Sequence, residues 1–487
     1  MRILMAASEA VPFSKTGGLA DVAGALPQAI ARLGHEVALI VPRYRMTRLT
    51  EPRTVFPSLS IPLGTRLHFP AVLEGPKQDG VRTFFVEYPP YFDRDALYGT
   101  PQAGDYPDNA ERFALFSKVV VEVAKLHFQP DVLHCHDWQT ALVPVLLDTV
   151  YARDPAMEHV ATLFTIHNLG YQGLFPADVL FSIGLSPELF HHERLEFWGK
   201  LNFLKGGLVY ADYLNTVSRR YAAEIQTEEY GFGLEGVLRK RSAVLTGILN
   251  GVDYAEWNPE TDRFLAARYS AADLKGKRAC KKNLLDEFGL PSKNLDRPLV
   301  GIVSRFTVQK GADLIADVAH QLMAEDFYLV ALGSGEAQYE ELFRDLADKY
   351  PEKVAVRIAY DNALAHKIEA GADMFLMPSH YEPCGLNQIY SLKYGTVPVV
   401  RATGGLDDTI EPWDAARGTG TGFKFRDYTG AALLLTVQQA LDAFRDRAGW
   451  QKLMRNGMSQ DFSWDHSARE YVQLYQKIIG AERAAAT

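Results

Sequence analysis

Two cations five residues apart, Arg305 and Lys310, lie in Ser304-Arg305-Phe306-Thr307-Val308-Gln309-Lys310-Gly311, directly after an apolar run and before a helical pattern. In open α/β sheets the carboxyl ends of the strands are where ligands bind, and two cations there suit a pyrophosphate. Taken singly, each is equally a solvated surface charge. Gly333-Ser334-Gly335-Glu336 ends the next run and completes the picture of a diphosphate clamp. A denser segment, Pro378-Ser379-His380-Tyr381-Glu382-Pro383-Cys384-Gly385-Leu386-Asn387-Gln388, also joins an apolar run to a helix, so the amides of Cys384, Gly385, Leu386 and Asn387 would face a phosphate. Glu382 repels phosphate and suits sugar hydroxyls; a purely structural carboxylate at a helix N-terminus is the other reading.

The opening segment carries a second glycine turn, Lys15-Thr16-Gly17-Gly18-Leu19-Ala20-Asp21, where Lys15 adds a movable charge. Its spacing fits neither the P-loop nor the dinucleotide fingerprint, which leaves a phosphate or sugar site and a plain strand-to-helix turn both open. His134-Cys135-His136-Asp137-Trp138-Gln139 and Thr165-Ile166-His167-Asn168 end two further runs. Their mixture of Asp, His, Asn and Trp suits a neutral sugar, while core histidines are the alternative for His134 and His136. The strand spacing and the lack of a second ligand cluster argue against zinc. Asp93-Arg94-Asp95 has the form of a carboxylate pair that holds a metal in one class of nucleotide-sugar transferases, but it lies in an aromatic loop, and no metal is expected.

These residues need strands to hold them. Apolar runs at 3–7, 36–41, 131–135, 161–166 and 213–217 alternate with helical patterns such as 19–33 and 109–126, the order of βαβ units and a parallel sheet. The stretch 54–88 reads as a β-rich insertion. A second series runs through 299–303, 327–332, 354–358, 374–377 and 397–400. The expectation is α/β, with two doubly wound Rossmann-like domains: 1–245, 246–464, and a last amphipathic helix within 465–487 packed back on the first.

The chain has 487 residues, 47% hydrophobic and 23% charged, which fits globular domains and argues against disorder and coiled coil. Lys and Arg number 51 against 60 Asp and Glu, a net charge of −9, so no global positive field collects nucleic acid or anionic membrane. Three cysteines, Cys135, Cys280 and Cys384, lack metal spacing and fit a reducing compartment. Ser8-Glu9 cuts the first apolar run too short for a signal peptide, and the expected location is the cytoplasm.

Together the blocks resemble the bacterial ADP-glucose-dependent glycogen synthases and the related plastid starch synthases. Besides those quoted, they include Asp105 to Phe113, Tyr171-Gln172-Gly173, Asn202 to Lys205, Gly233 to Gly236 and Leu249-Asn250-Gly251-Val252-Asp253, in the family's order across nearly the whole chain. The resemblance implies a GT-B glycosyltransferase with its active site in the cleft, no cofactor, ADP-glucose as donor and a glycogen or α-1,4-glucan acceptor extended with retention. It implies that Lys15, Gly17, Gly18 and Asp21 lie near the donor, that Arg305 and Lys310 bind its diphosphate, and that Glu382 binds the glucose. Asp137, Asn168 and Asn250 would hold sugar hydroxyls or order the cleft, His167 would lie beneath the reacting carbon, and Tyr360 would pack on adenine. His380, Tyr381 and Asn387 depart from the family's usual Arg, Phe and Thr. An epimerase of the same architecture and a non-catalytic glucan-binding protein are the competing readings; a phosphorylase would need a pyridoxal phosphate lysine block, and none is evident.

Overall fold

Alternating apolar runs and amphipathic patterns fold into two α/β units in a computed structural model that describes residues 1–100 and 104–485. Unit 1 comprises Met1–Val217, Ala222–Gly251 and the segment from Trp464; unit 2 comprises Ser218–Tyr221 and Val252–Ser463. The last two residues of the expected 465–487 segment lie outside the described residues.

Among the described residues unit 1 is built on a nine-stranded sheet. In spatial order its strands are Leu245–Gly247, Tyr213–Thr216, Ala161–Ile166, Val132–His136, Arg2–Ala6, Glu36–Pro42, Val81–Glu87, Ala71–Glu74 and Arg53–Phe56. The first seven are parallel and the last two pairings are antiparallel. The region read as an insertion therefore needs correcting. Val81–Glu87 belongs to the parallel sheet, registered Val37↔Val81 through Pro42↔Val86, because its apolar residues are buried on both faces as parallel strands require.

Helix Gly18–Arg32 follows the first strand and buries Leu19, Val22, Ala23, Leu26, Ala29 and Ile30, a stripe at three and four residue spacing that packs on the sheet. The final helix, Trp464–Ala485, docks on the same face: Tyr471 and Tyr475 are fully buried beside Ile3, Met5 and Leu163. Tyr471 Oη donates to Asn215 Oδ1 at 3.0 Å, so this helix is bolted to the sheet by polar as well as apolar contacts.

Unit 2 is a six-stranded, wholly parallel sheet in the order Val354–Ile358, Tyr328–Gly333, Leu299–Val303, Met374–Met377, Val397–Arg401, Phe423–Phe425. Separate apolar clusters cover its two faces, one around Ile315, Phe343, Val437 and Trp450, the other around Leu284, Leu364 and Ile368. The strand order reverses between Leu299–Val303 and Met374–Met377, and the crevice at such a switch point is where open α/β sheets take ligands.

Candidate active site

In unit 2 the two loops at the switch point are stitched into one structure. His380 N donates to Gln309 O at 2.9 Å, Asn387 Nδ2 donates to Val303 O at 2.7 Å, and Lys310 Nζ pairs with Glu382 Oε2 at 2.5 Å. Ser379 Oγ donates to the same carboxylate oxygen at 3.0 Å. Glu382 is buried while Lys310 is half-buried, so this charge pair is held in one geometry instead of sampling solvent. Arg305 is exposed and places NH2 3.1 Å from Gln309 Oε1. The unusual residues are thereby accounted for in part: the Asn387 side chain ties the helix start to the neighbouring strand, and His380 packs on Tyr428 at 4.4 Å.

The paired glycines 404 and 405 explain how the Glu382 loop keeps its shape. A Cβ on Gly404 would lie 1.9 Å from Glu382 O, and one on Gly405 would lie 1.9 Å from Cys384 O. Gly405 N also donates to Glu382 O at 3.1 Å. Backbone thus lies against backbone, with no space for a side chain. Tyr360 stands 84% exposed after the strand Val354–Ile358, an aromatic face presented to solvent.

In unit 1 the glycine turn hangs from a residue outside the predicted set. Glu9 is 3% exposed, and its Oε2 accepts from Thr16 N at 2.5 Å and from Thr16 Oγ1 at 2.7 Å. Desolvation by burial pushes its carboxyl up to about 7, outweighing the Thr16 and Gly17 hydrogen bonds. The sequence carried one clue, a carboxylate interrupting an apolar run at a strand's end. Lys15 is not a free charge: Nζ pairs with Asp21 Oδ1 at 2.7 Å, across the first turn of the helix that Gly17 caps and Gly18 begins.

Asp137 adopts a left-handed φ of 58°, rare outside glycine, and its Oδ1 accepts from His167 N at 2.7 Å. Desolvation pushes its carboxyl up to about 7 as well, against the lowering by the His167 and Asn168 amides. His136 Nδ1 lies 2.9 Å from His167 Nε2, and His136 Nε2 is buried with no partner. That pattern is met by a neutral His136 donating from Nδ1, since a bare ring nitrogen costs less buried than a bare N–H. Burial lowers His167 to about 3. His134 is a core histidine, bonded to Tyr475 Oη at 2.8 Å and Thr165 Oγ1 at 2.6 Å. Asn168 Oδ1 accepts from Gly170 N at 3.0 Å, and Asn250 is buried with Oδ1 unpartnered.

Asp93 and Asp95 are both engaged by Arg45, with Nε 2.8 Å from Asp93 Oδ1 and NH1 on Asp95. Among the described residues the grouping with metal-holding geometry is His191, His192 and Glu193, all exposed and apart from these loops in sequence. The thiols of Cys135, Cys280 and Cys384 are buried and outside any disulfide.

Two Rossmann-like units, each with loops of polar and charged groups at the carboxyl ends of parallel strands, define a two-domain glycosyltransferase of GT-B architecture. Residues 2–240 match the starch synthase catalytic domain and residues 287–452 the glycosyl transferases group 1 family. The chain is 62% identical over 477 residues to a glycogen synthase of Koribacter versatilis, covering 98% of each, and 45% identical to one of Bacillus cereus, covering 98% of this chain and 100% of that one. The catalytic domain of starch synthase IV from Arabidopsis thaliana, solved bound to ADP and acarbose, superposes with a TM-score of 0.88 at 33% identity, over 98% of this chain and 99% of that one. This chain belongs to the glycogen and starch synthase family of glucosyltransferases.

Proposed function

We infer that this chain transfers glucose from ADP-glucose to the non-reducing 4-hydroxyl of an α-1,4-glucan, with retention of configuration, and so elongates glycogen in the cytoplasm. The observation that carries the reading is end-to-end similarity to glycogen synthases, with both glycosyltransferase domains present. In it, Arg305 and Lys310 neutralise charge growing on the departing diphosphate, and Glu382 accepts hydrogen bonds from the glucose. Cys384, Gly385, Leu386 and Asn387 shape the loop around the donor, and Tyr360 stacks on adenine. From unit 1, Lys15, Gly17, Gly18 and Asp21 approach the donor, while Asp137, His167, Asn168 and Asn250 hold the sugars.

Bond breaking makes the anomeric carbon cationic and the leaving oxygen anionic; preorganised cations lower that barrier because they need no reorganisation as charge develops. His167, held neutral, is no general acid at physiological pH and offers a polar ring in its place. Asp137 is occupied by backbone amides and Glu382 by Lys310 and Ser379, which disfavours either as a covalent nucleophile. Attack on the face of departure, with the leaving phosphate taking the acceptor's proton, fits these engagements better.

The test is donor competition on glycogen, following nucleotide release and polymer growth. ADP-glucose is used in strong preference to UDP-glucose at equal concentration. Equal or reversed preference overturns the donor assignment, and donor turnover without polymer growth points to an epimerase.

A further inference from the structure

The most exposed tryptophan sits where hairpin chemistry calls for another residue. Strands Glu196–Phe197 and Lys200–Asn202 pair antiparallel with Phe197 opposite Lys200, leaving Trp198-Gly199 as a two-residue turn. Both turn residues have positive φ, 51° at Trp198 and 76° at Gly199, the combination that favours Asn-Gly or Asp-Gly. Gly199 pays nothing there. A bulky side chain at the first position is strained, and this one is also 85% exposed, so neither backbone preference nor burial explains it. Strain of this kind points from the outlier toward a function.

Beside the hairpin lies a second such position. Phe232 has φ 49° and is 40% exposed, and at the next residue, Gly233, a Cβ would fall 2.8 Å from the Phe197 ring and 3.7 Å from the Trp198 indole nitrogen. The two turns thus meet edge to edge, and each displays an aromatic ring. Gln172 secures both: its Nε2 donates to Phe232 O at 3.1 Å, and its Oε1 accepts from Asn202 Nδ2 at 2.7 Å. The same chain segment carries His167 and Asn168 five and four residues earlier, and Leu174–Pro176 pairs with Lys200–Asn202. Trp198 lies four positions from Asn202, at most ~14 Å of extended chain, and the Asn202–Gln172 bond ties this hairpin to the segment that carries His167 and Asn168.

We propose that Trp198, flanked by Phe232, is a stacking platform for an α-1,4-glucan chain at a distance from the reacting sugar. This rests on the glucan-acceptor reading above. A pyranose presents an apolar face of C–H groups that lies flat on one ring, which a single projecting indole satisfies. A protein partner is the poorer fit: one tryptophan offers at most ~250 Å², far below the ~800 Å² per partner of a stable interface.

The experiment compares wild type with W198N and W198F. Asparagine suits the turn, so W198N keeps or raises the melting temperature, and a loss of binding is then not a loss of fold. Without donor, in native gels containing glycogen, wild type and W198F are retarded, whereas the W198N apparent Kd for glycogen rises roughly five- to ten-fold, the factor one stacked ring is worth. In turnover the KM for glycogen rises alike and the KM for ADP-glucose stays within about two-fold, which a general structural defect would not give. Equal retardation of all three, no retardation of wild type, or a change confined to sedimentation behaviour, as for a protein contact, overturns the proposal. The gel needs no catalysis: glycogen binding through Trp198 without glucose transfer would sink only the transferase reading, and transfer indifferent to Trp198 would sink only the platform.

Discussion

Replacing Glu9 by glutamine tests whether a buried carboxylate holds the Lys15–Gly18 turn at an electrostatic cost. Its folded-state pKa stands at about 7 against 4.5 in the free side chain, and the carboxyl is almost wholly removed from solvent. Because the native state binds the proton more tightly than the unfolded chain, the group's contribution is fully present below pH 4.5 and is lost as the pH rises through about 7. At about 1.4 kcal/mol per pH unit the gap corresponds to on the order of 3 kcal/mol, most of it desolvation and a minor part repulsion from Asp21. Glutamine keeps an acceptor oxygen for Thr16 but never ionises. Glu9→Gln should therefore match wild type near pH 5 and become the more stable protein by pH 8.5, with unit 1 melting roughly 5 to 10 °C higher. The assay is a thermal melt of both proteins from pH 5 to 8.5. Melting temperatures that run parallel across that range would refute the reasoning, since the carboxylate would then carry no buried charge.

Arg305→Ala and Lys310→Ala should each lower kcat by on the order of 10² or more while glycogen affinity, read in native gels, is retained; Lys310→Ala additionally strands the buried Glu382 carboxylate. Activity should survive exhaustive chelation, because Arg45 already neutralises Asp93 and Asp95; loss on chelation restored by magnesium or manganese would reverse this. Gly405→Ala should destabilise unit 2 by several kcal/mol and abolish turnover, because the new methyl would lie 1.9 Å from Cys384 O; an active variant with an unchanged melting temperature would contradict the close backbone contact.

The parallel strands are legible because buried strands read as continuous apolar runs: Ala161–Ile166, Leu299–Val303 and Met374–Met377 begin and end where their composition says they should. The loops that follow are legible for the same reason, since Arg305, Lys310 and Glu382 stand directly after such runs in the sequence. Val81–Glu87 is not legible in the same way, because Pro and Gly around it signal an excursion and its pairing with Glu36–Pro42 is a non-local event that no local pattern reports.

What the sequence alone determined, then, is the alternation of elements and the chemical types gathered at their ends, both of which depend on residues near in the chain. Tertiary structure alone decided the pairings: Glu9 under Thr16, Lys310 against Glu382, glycines 404 and 405 beneath the Glu382 loop, and Asp137 on the His167 amide. Each joins atoms brought together by folding, where a few tenths of an ångström and the loss of water determine whether a charge is paired, a methyl fits or a carboxyl keeps its proton. Such distances have no signature in residue order.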